Sequence, residues 1–354
     1  MHWILFPRLL VLVFTTLYAA TSSSFEYHYL TASDGIQIRV GRFCGDGSAP
    51  ESANKIMLVL PGLVSRIERH ELLAKHYASF GFGVWVLDFR GQGGSQRLVE
   101  NKQMIHIDDF SDYIRDVEAL ALWDKFNDKH ISIFGHSMGG QVALQVLRKH
   151  PKMFELAVLE APMVCIKTAP FPFLLAEPLA YIFKNWFGLG KQYCLGHGNY
   201  DHLKHSFANN RNCRDKNLFD KHYFIHESHK EMIPRDPSCG WMHAALSSSR
   251  RFLSNLKPLE NVTTKVFLAT AGDDKVLDTR YDATIVSALQ KAAHRVYAGA
   301  WHCLMHDTLA IRRAYLADVS AFLRNPDEFT RKHITMQPNF NLGWLEWFKG
   351  IIKI

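Results

Sequence analysis

The chain has 354 residues, 47% of them hydrophobic and 21% charged, with a formal net charge of +7. That length can bury a sizeable core, and that balance excludes a disordered chain and a fibrous repeat. No run of like charges and no basic stripe interleaved with stacking aromatics is present, so no nucleic-acid partner is expected.

The first residues read as a targeting segment. Arg8 precedes an apolar stretch over 9–20, followed by Thr21 and a short serine run. A stretch of that length is short for a bilayer span and fits a signal peptide over 1–22. Tyr18-Ala19-Ala20 is an imperfect cleavage box, which leaves an uncleaved anchor starting at Trp3 as the rival. The expectation is export to a periplasm or the medium, or membrane association through the anchor. Six cysteines follow: Cys44, Cys165, Cys194, Cys213, Cys239 and Cys303. An oxidising compartment would allow a disulfide among Cys194, Cys213 and Cys239, the alternative being free or buried thiols.

Residues 25–30 and 37–40 alternate like two strands around an Asp34-Gly35 turn. The continuous apolar runs 55–60 and 84–88 predict strands covered on both faces. Between them 70–80 has helical period, and after them a glycine-rich turn spans 90–95. An amphipathic helix over 110–124, a strand over 130–134, a helix over 140–150 stopped by Pro151 and a strand over 155–159 follow. The pattern lapses over 162–250, which is rich in aromatics, proline and histidine. It resumes with strands over 265–269 and 295–297 and helices over 282–291 and 307–323. Strands alternating with helices predict an α/β fold, a mostly parallel central sheet with helices on both faces. The expected organisation is a core over 25–160 and 251–325, a mainly helical cap inserted over 161–250, and an appendage over 326–354. The appendage ends in Trp344, Trp347, Phe348, Ile351 and Ile352, which suit an amphipathic surface helix.

The sharpest chemical signal is Gly135-His136-Ser137-Met138-Gly139-Gly140, set between a strand and a helix. Such glycines permit a strained turn that exposes the serine hydroxyl, and the Met138 N–H at the helix start can donate to an oxyanion. A serine needs a base and a group to orient that base, and in this strand–elbow–helix fold the acid and the histidine follow it in the chain. Asp274 sits in a strand-end loop, with Asp273 and Asp278 as rivals. His302 precedes the last helix, with His306 as its competitor. The loop Leu60-Pro61-Gly62-Leu63 offers the Leu63 N–H as second oxyanion donor.

Several further motifs stand in order: Ser65-Arg66-Ile67-Glu68, Asp88-Phe89-Arg90-Gly91-Gln92-Gly93-Gly94-Ser95, Asp109-Phe110-Ser111-Asp112-Tyr113-Ile114-Arg115-Asp116, and Gly299-Ala300-Trp301-His302. With the elbow they resemble the bacterial lysophospholipase and monoacylglycerol lipase branch of the α/β-hydrolases, a serine aminopeptidase S33-type domain, over about 25–324. Pro61 departs from the branch's histidine, and the tail after Asn325 is unmatched. The resemblance implies Ser137, Asp274 and His302 as catalytic triad and Leu63 and Met138 as oxyanion hole. It also makes Pro237-Ser238-Cys239-Gly240-Trp241 the end of a cap.

Phe171, Phe173, Trp186 and Trp241 are the candidate acyl-chain lining. His302 with His306, and His226 with His229, have metal-ligand spacing, but nothing in the sequence completes a set, so no metal and no cofactor is expected. The glycine-rich turn lacks the ending of a phosphate loop, and Asn261-Val262-Thr263 is a glycosylation sequon. The expected activity is hydrolysis of carboxylic esters of single-chain lipids at a peripheral membrane contact. A general short-chain carboxylesterase and a catalytically silent lipid-binding protein are the alternatives.

Overall fold

The computed structural model describes residues 24–45, 52–168, 173–194, 196–199, 206–221 and 235–332. The expected leader, Phe171, His226, His229 and the aromatic end of the tail lie outside the described residues. The strands among the described residues are β1 (Phe25–Thr31), β2 (Gln37–Phe43), β3 (Lys55–Leu60), β4 (Phe82–Leu87), β5 (Met104–Ile105), β6 (His130–His136), β7 (Leu156–Glu160), β8 (Asp236–Pro237), β9 (Lys265–Ala271) and β10 (Ala292–Tyr297). The α-helices are α1 (Glu71–Ala78), α2 (Ser111–Ala121), α3 (Met138–Lys149), α4 (Phe173–Asn185), α5 (Cys239–Ser254), α6 (Asp282–Ser287), α7 (Leu309–Arg324) and α8 (Pro326–Lys332).

Eight strands form one sheet in the order β1-β2-β4-β3-β6-β7-β9-β10. β1 and β2 run antiparallel to their neighbours and the rest are parallel. β4 is buried along its whole length and β3 at all but its first residue, because helices cover both faces. One apolar cluster packs α2, α3 and α5 on one face, and a second packs α1, α7 and α8 on the other. Edge strand β1, by contrast, alternates outward.

Two features depart from the sequence pattern, both for tertiary reasons. The helix expected over 282–291 stops at Ser287, because residues from Ala292 onward pair with β9. The two-residue sheet of β5 and β8 joins segments more than 130 residues apart, a pairing no local pattern announces. Within 161–250, Trp241, Ala244 and Ala245 of α5 pack into the main core rather than standing above it. Cys194 Sγ lies 2.8 Å from Cys239 Sγ, whereas the Cys213 thiol donates to the His306 carbonyl at 2.9 Å.

Asp282 is an isolated buried acid under the β9–β10 edge. Its Oδ2 accepts from the Thr270 hydroxyl at 2.6 Å, and its Oδ1 has no partner. Burial, reinforced by the charges of Asp274 and Asp278, outweighs the Thr270 bond and raises its pKa to about 7. The folded state therefore holds this proton more tightly than the unfolded chain does. The stability contributed is full below about pH 4 and falls, by at most about 4 kcal/mol, as pH rises to about 7. Asp282→Asn should flatten the decline of Tm across that window. A variant whose Tm falls as steeply as the wild type would contradict this.

Candidate active site

β3 and β6 are neighbours with Leu60 opposite Gly135, so the loops leaving their carboxyl ends start side by side. The turn after β6 is sharp: Ser137 has φ 53° and ψ −117°, a conformation few non-glycine residues adopt. A Cβ on Gly139 would lie 2.2 Å from the Leu60 carbonyl, and one on Gly135 would lie 2.6 Å from the Gly139 carbonyl. Backbone packs on backbone there, which is why the elbow needs those glycines. The Ser137 N–H donates to the Glu160 carbonyl at 3.0 Å, and the Ser137 carbonyl accepts from Met163 at 2.8 Å. These bonds hold the strained residue in place.

Three separated loops meet at the serine. His302 Nε2 is 2.8 Å from Ser137 Oγ, and His302 Nδ1 is 2.7 Å from Asp274 Oδ2. All three side chains are buried. Asp274 Oδ1 accepts the N–H groups of Val276 and Leu277 at 2.7 and 2.9 Å. Burial raises the Asp274 pKa, but the His302 bond and charge and those two N–H groups pull it below its ordinary value. Asp274 is therefore a carboxylate. In the tautomer this geometry accommodates, His302 carries its proton on Nδ1, facing the carboxylate, and Nε2 accepts the serine hydroxyl. The rival acids are engaged elsewhere. Asp273 pairs with Lys275 at 2.5 Å, and Asp278 binds Arg280 and caps the short turn after it. His306 Nδ1 faces Cys303 Sγ at 3.1 Å, so the His302–His306 spacing does not present two free ring nitrogens to a common ligand.

The motifs at 65–68, 88–95 and 109–116 brace the loop after β3. Asp88, fully buried, accepts from Ile67 N–H at 2.9 Å, Arg39 Nε at 2.6 Å and Gly94 N–H at 2.8 Å. Gln92 Oε1 accepts from Val64 N–H at 2.7 Å, while its Nε2 faces Met138 Sδ at 4.0 Å. One buried carboxamide thus touches the residue after Leu63 and the residue after Ser137. Arg90 donates to Asp116 and Asp34, tying the loop to α2. Met138 opens α3, so its N–H points out of a helix start, where partial positive charge favours an anion.

A cavity of about 360 Å³ opens onto Ser137 and His302. Leu63, Leu73, Phe134, Phe219, Val276 and Met305 supply its apolar lining. Two of the four expected acyl-chain residues lie elsewhere. Trp186 is 77% exposed and lines no part of the cavity. Trp241 lies in the core, where its indole N–H donates to the Tyr113 hydroxyl at 2.9 Å, and it does not reach the cavity either. Phe173 begins α4, and its side chain, like Phe171, lies outside the described residues. An aromatic-rich run records a tendency to bury apolar surface, not which surface is buried.

The sequence profile of the family described as serine aminopeptidase, S33, matches residues 51–309. The chain belongs to that family. Among curated relatives it is 25% identical over 283 residues to a probable lysophospholipase L2 of Haemophilus influenzae, covering 77% of this chain and 85% of the relative. It is 24% identical over 307 residues to lysophospholipase L2 of Escherichia coli K12, covering 82% and 85%. Among solved structures, a soluble variant of the Saccharomyces cerevisiae monoglyceride lipase bound to a substrate analogue superposes with a TM-score of 0.66. That match has 16% identity and covers 90% of this chain and 99% of the yeast chain. The fold of this family member is the α/β-hydrolase fold.

Proposed function

We propose that this protein hydrolyses carboxylic esters of single-chain lipids, lysophospholipids and monoacylglycerols, through an acyl-enzyme on Ser137. The observation that carries the reading is the unbroken chain of contacts from Ser137 Oγ through His302 to Asp274, at 2.8 and 2.7 Å, at the edge of the cavity. Ser137 attacks the ester carbonyl as His302 takes its proton, and the N–H groups of Leu63 and Met138 hold the oxyanion. His302 then protonates the leaving alcohol, and water, deprotonated by the same ring, releases the fatty acid. Asp274 fixes the ring's tautomer and stabilises the transient imidazolium. The names of the relatives support a lipid ester as substrate, and the cavity volume is within the range of small-molecule sites.

A peripheral membrane contact belongs to the same reading. Trp186 and Phe187, 77% and 65% exposed, follow α4 directly, and Leu175 and Tyr181 on that helix are exposed as well, side chains suited to the lipid–water boundary. The apolar leader supports delivery of the enzyme outside the cytoplasm; recovery of the full-length chain from the cytoplasmic fraction alone would contradict that placement. Fatty-acid release from lysophospholipids and monoacylglycerols in vesicles should exceed release from short acyl esters at equal concentration. The double change Trp186→Ser and Phe187→Ser should lower the vesicle rate severalfold and spare a water-soluble ester. Activity that falls as the acyl chain lengthens would replace this reading with a general short-chain carboxylesterase.

A further inference from the structure

Three donors of different chemical kinds meet beneath the triad without a task in the acyl-transfer cycle. His136 precedes the nucleophile, Cys303 follows the base, and Glu160 ends β7, where its carbonyl already binds the Ser137 N–H. One ligand atom from each, a ring nitrogen, a carboxylate oxygen and a thiol sulfur, lies within 4.8 Å of the other two. All three side chains line the cavity that opens onto Ser137, so an ion in solution has a path to them.

Glu160 is the odd member of this set. It is 1% exposed, yet no lysine or arginine among the described residues pairs with it. The basic side chain facing it is His136, whose Nε2 stands 4.0 Å from Oε1, and the Met305 N–H donates a long 3.4 Å bond to that oxygen. His136 Nε2 and Glu160 Oε2 are both buried without a well-formed hydrogen bond, although the Met305 and Leu304 N–H groups, the Tyr315 hydroxyl and the Cys303 thiol stand around the carboxyl, whose pKa burial raises to about 7. A buried carboxylate is ordinarily paired, protonated or bound to a metal. The set of imidazole, carboxylate and thiol suits a borderline-soft cation of four-coordinate habit and does not suit magnesium or calcium, which require six or more oxygens.

We propose that His136, Glu160 and Cys303 form an inhibitory binding site for a zinc-like divalent cation in the wall of the active-site cavity. Binding exchanges the thiol proton of Cys303 for the cation, the proton leaving through His306, whose Nδ1 is 3.1 Å from that sulfur. A fourth position stays open to water from the cavity. The His136 and His302 rings are 5.0 Å apart between centroids. A dication held on His136 therefore stands beside the ring that must become an imidazolium in acyl transfer, and it opposes that charge. This consequence rests on His302 being the catalytic base; the binding itself does not.

The test uses the full chain, freed of metal with a chelator and then titrated with Zn²⁺ or Mg²⁺. Hydrolysis of a water-soluble ester should fall about tenfold or more with Zn²⁺, by the size of such charge interactions at short range, and should not respond to Mg²⁺. Equilibrium dialysis should find one tightly held zinc per chain. Cys303→Ala and Glu160→Gln, each compared with its own metal-free rate, should weaken zinc binding and inhibition at least tenfold. A measurement that does not depend on those variants folding is Cd²⁺ added to the double variant Cys44→Ser and Cys194→Ser, which lacks the exposed thiol and breaks the Cys194–Cys239 sulfur pair: one sulfur-to-metal absorption band per bound ion is expected. Zinc bound with the band present but no inhibition, in an enzyme that His302→Ala still inactivates, would overturn the inhibitory role; loss of inhibition together with an active His302→Ala protein would instead count against His302 as base. No zinc retained, no band, or equal inhibition of the wild type and both folded variants would overturn the site.

Discussion

Alanine at Ser137 should lower kcat by roughly 10⁴-fold or more, and alanine at His302 should do the same, while KM changes little. The reason is geometric. Ser137 Oγ makes its 2.8 Å bond to His302 Nε2, and the serine is a poor nucleophile until that ring takes its proton. The two groups act as a unit, so the double variant should be no slower than either single one. Additive losses would mean that each contributes separately, and the proposed mechanism would fail. Both substitutions remove atoms at a cavity wall rather than from a packed core, so melting curves should stay close to the wild type. A large fall in Tm alongside the lost activity would show that the variants report on folding instead.

Asp274→Asn should cost roughly 10³- to 10⁴-fold in kcat, against at most a few-fold for Asp273→Asn or Asp278→Asn. The bond of 2.7 Å from His302 Nδ1 ends on Asp274 and on no other carboxylate. An amide in that place offers a donor to a donor, so the ring turns over its tautomer and can no longer accept the serine proton on Nε2. Asp273 is half exposed and paired with Lys275, where screening leaves little to lose. Asp278 caps a short turn and holds Arg280, so its loss should be felt in stability first, by about 1 kcal/mol. If Asp278→Asn proved the crippling change, the acid of this site would have been misassigned.

How far the sequence speaks for this architecture differs from element to element. β3 and β4 are legible because strands covered on both faces must be apolar at nearly every position, and Lys55–Leu60 and Phe82–Leu87 are. The elbow is legible because its conformation demands glycine where backbone meets backbone, and that demand leaves a fixed spacing around Ser137. The residues alone put Asp274 forward with Asp273 and Asp278 as rivals, since residues within one loop differ in direction, which spacing does not encode. Phe171, Phe173, Trp186 and Trp241 are the expected acyl-chain lining, yet Phe219 and Met305 line the cavity beside Ser137, and Trp241 is in the core. Side-chain direction above a sheet depends on how distant segments dock, as the β5–β8 pairing also shows. Gln92 passed as part of a glycine turn, although a polar residue among glycines in a buried loop is a sign of a backbone brace. Glu160 carried a signal too: an acid closing an apolar run at the carboxyl end of a parallel strand, where active sites of this architecture lie.

The central claim is that one serine, made nucleophilic by His302, forms a covalent acyl intermediate. A fluorophosphonate reacts with such a serine by forming a phosphorus–oxygen bond and expelling fluoride, and tandem mass spectrometry of the digested protein locates the adduct. We expect one adduct per chain, on Ser137, appearing in step with the loss of esterase activity, and none on the Ser137→Ala or His302→Ala protein over the same time. An adduct on another residue, with Ser137→Ala still hydrolysing esters, would contradict the account.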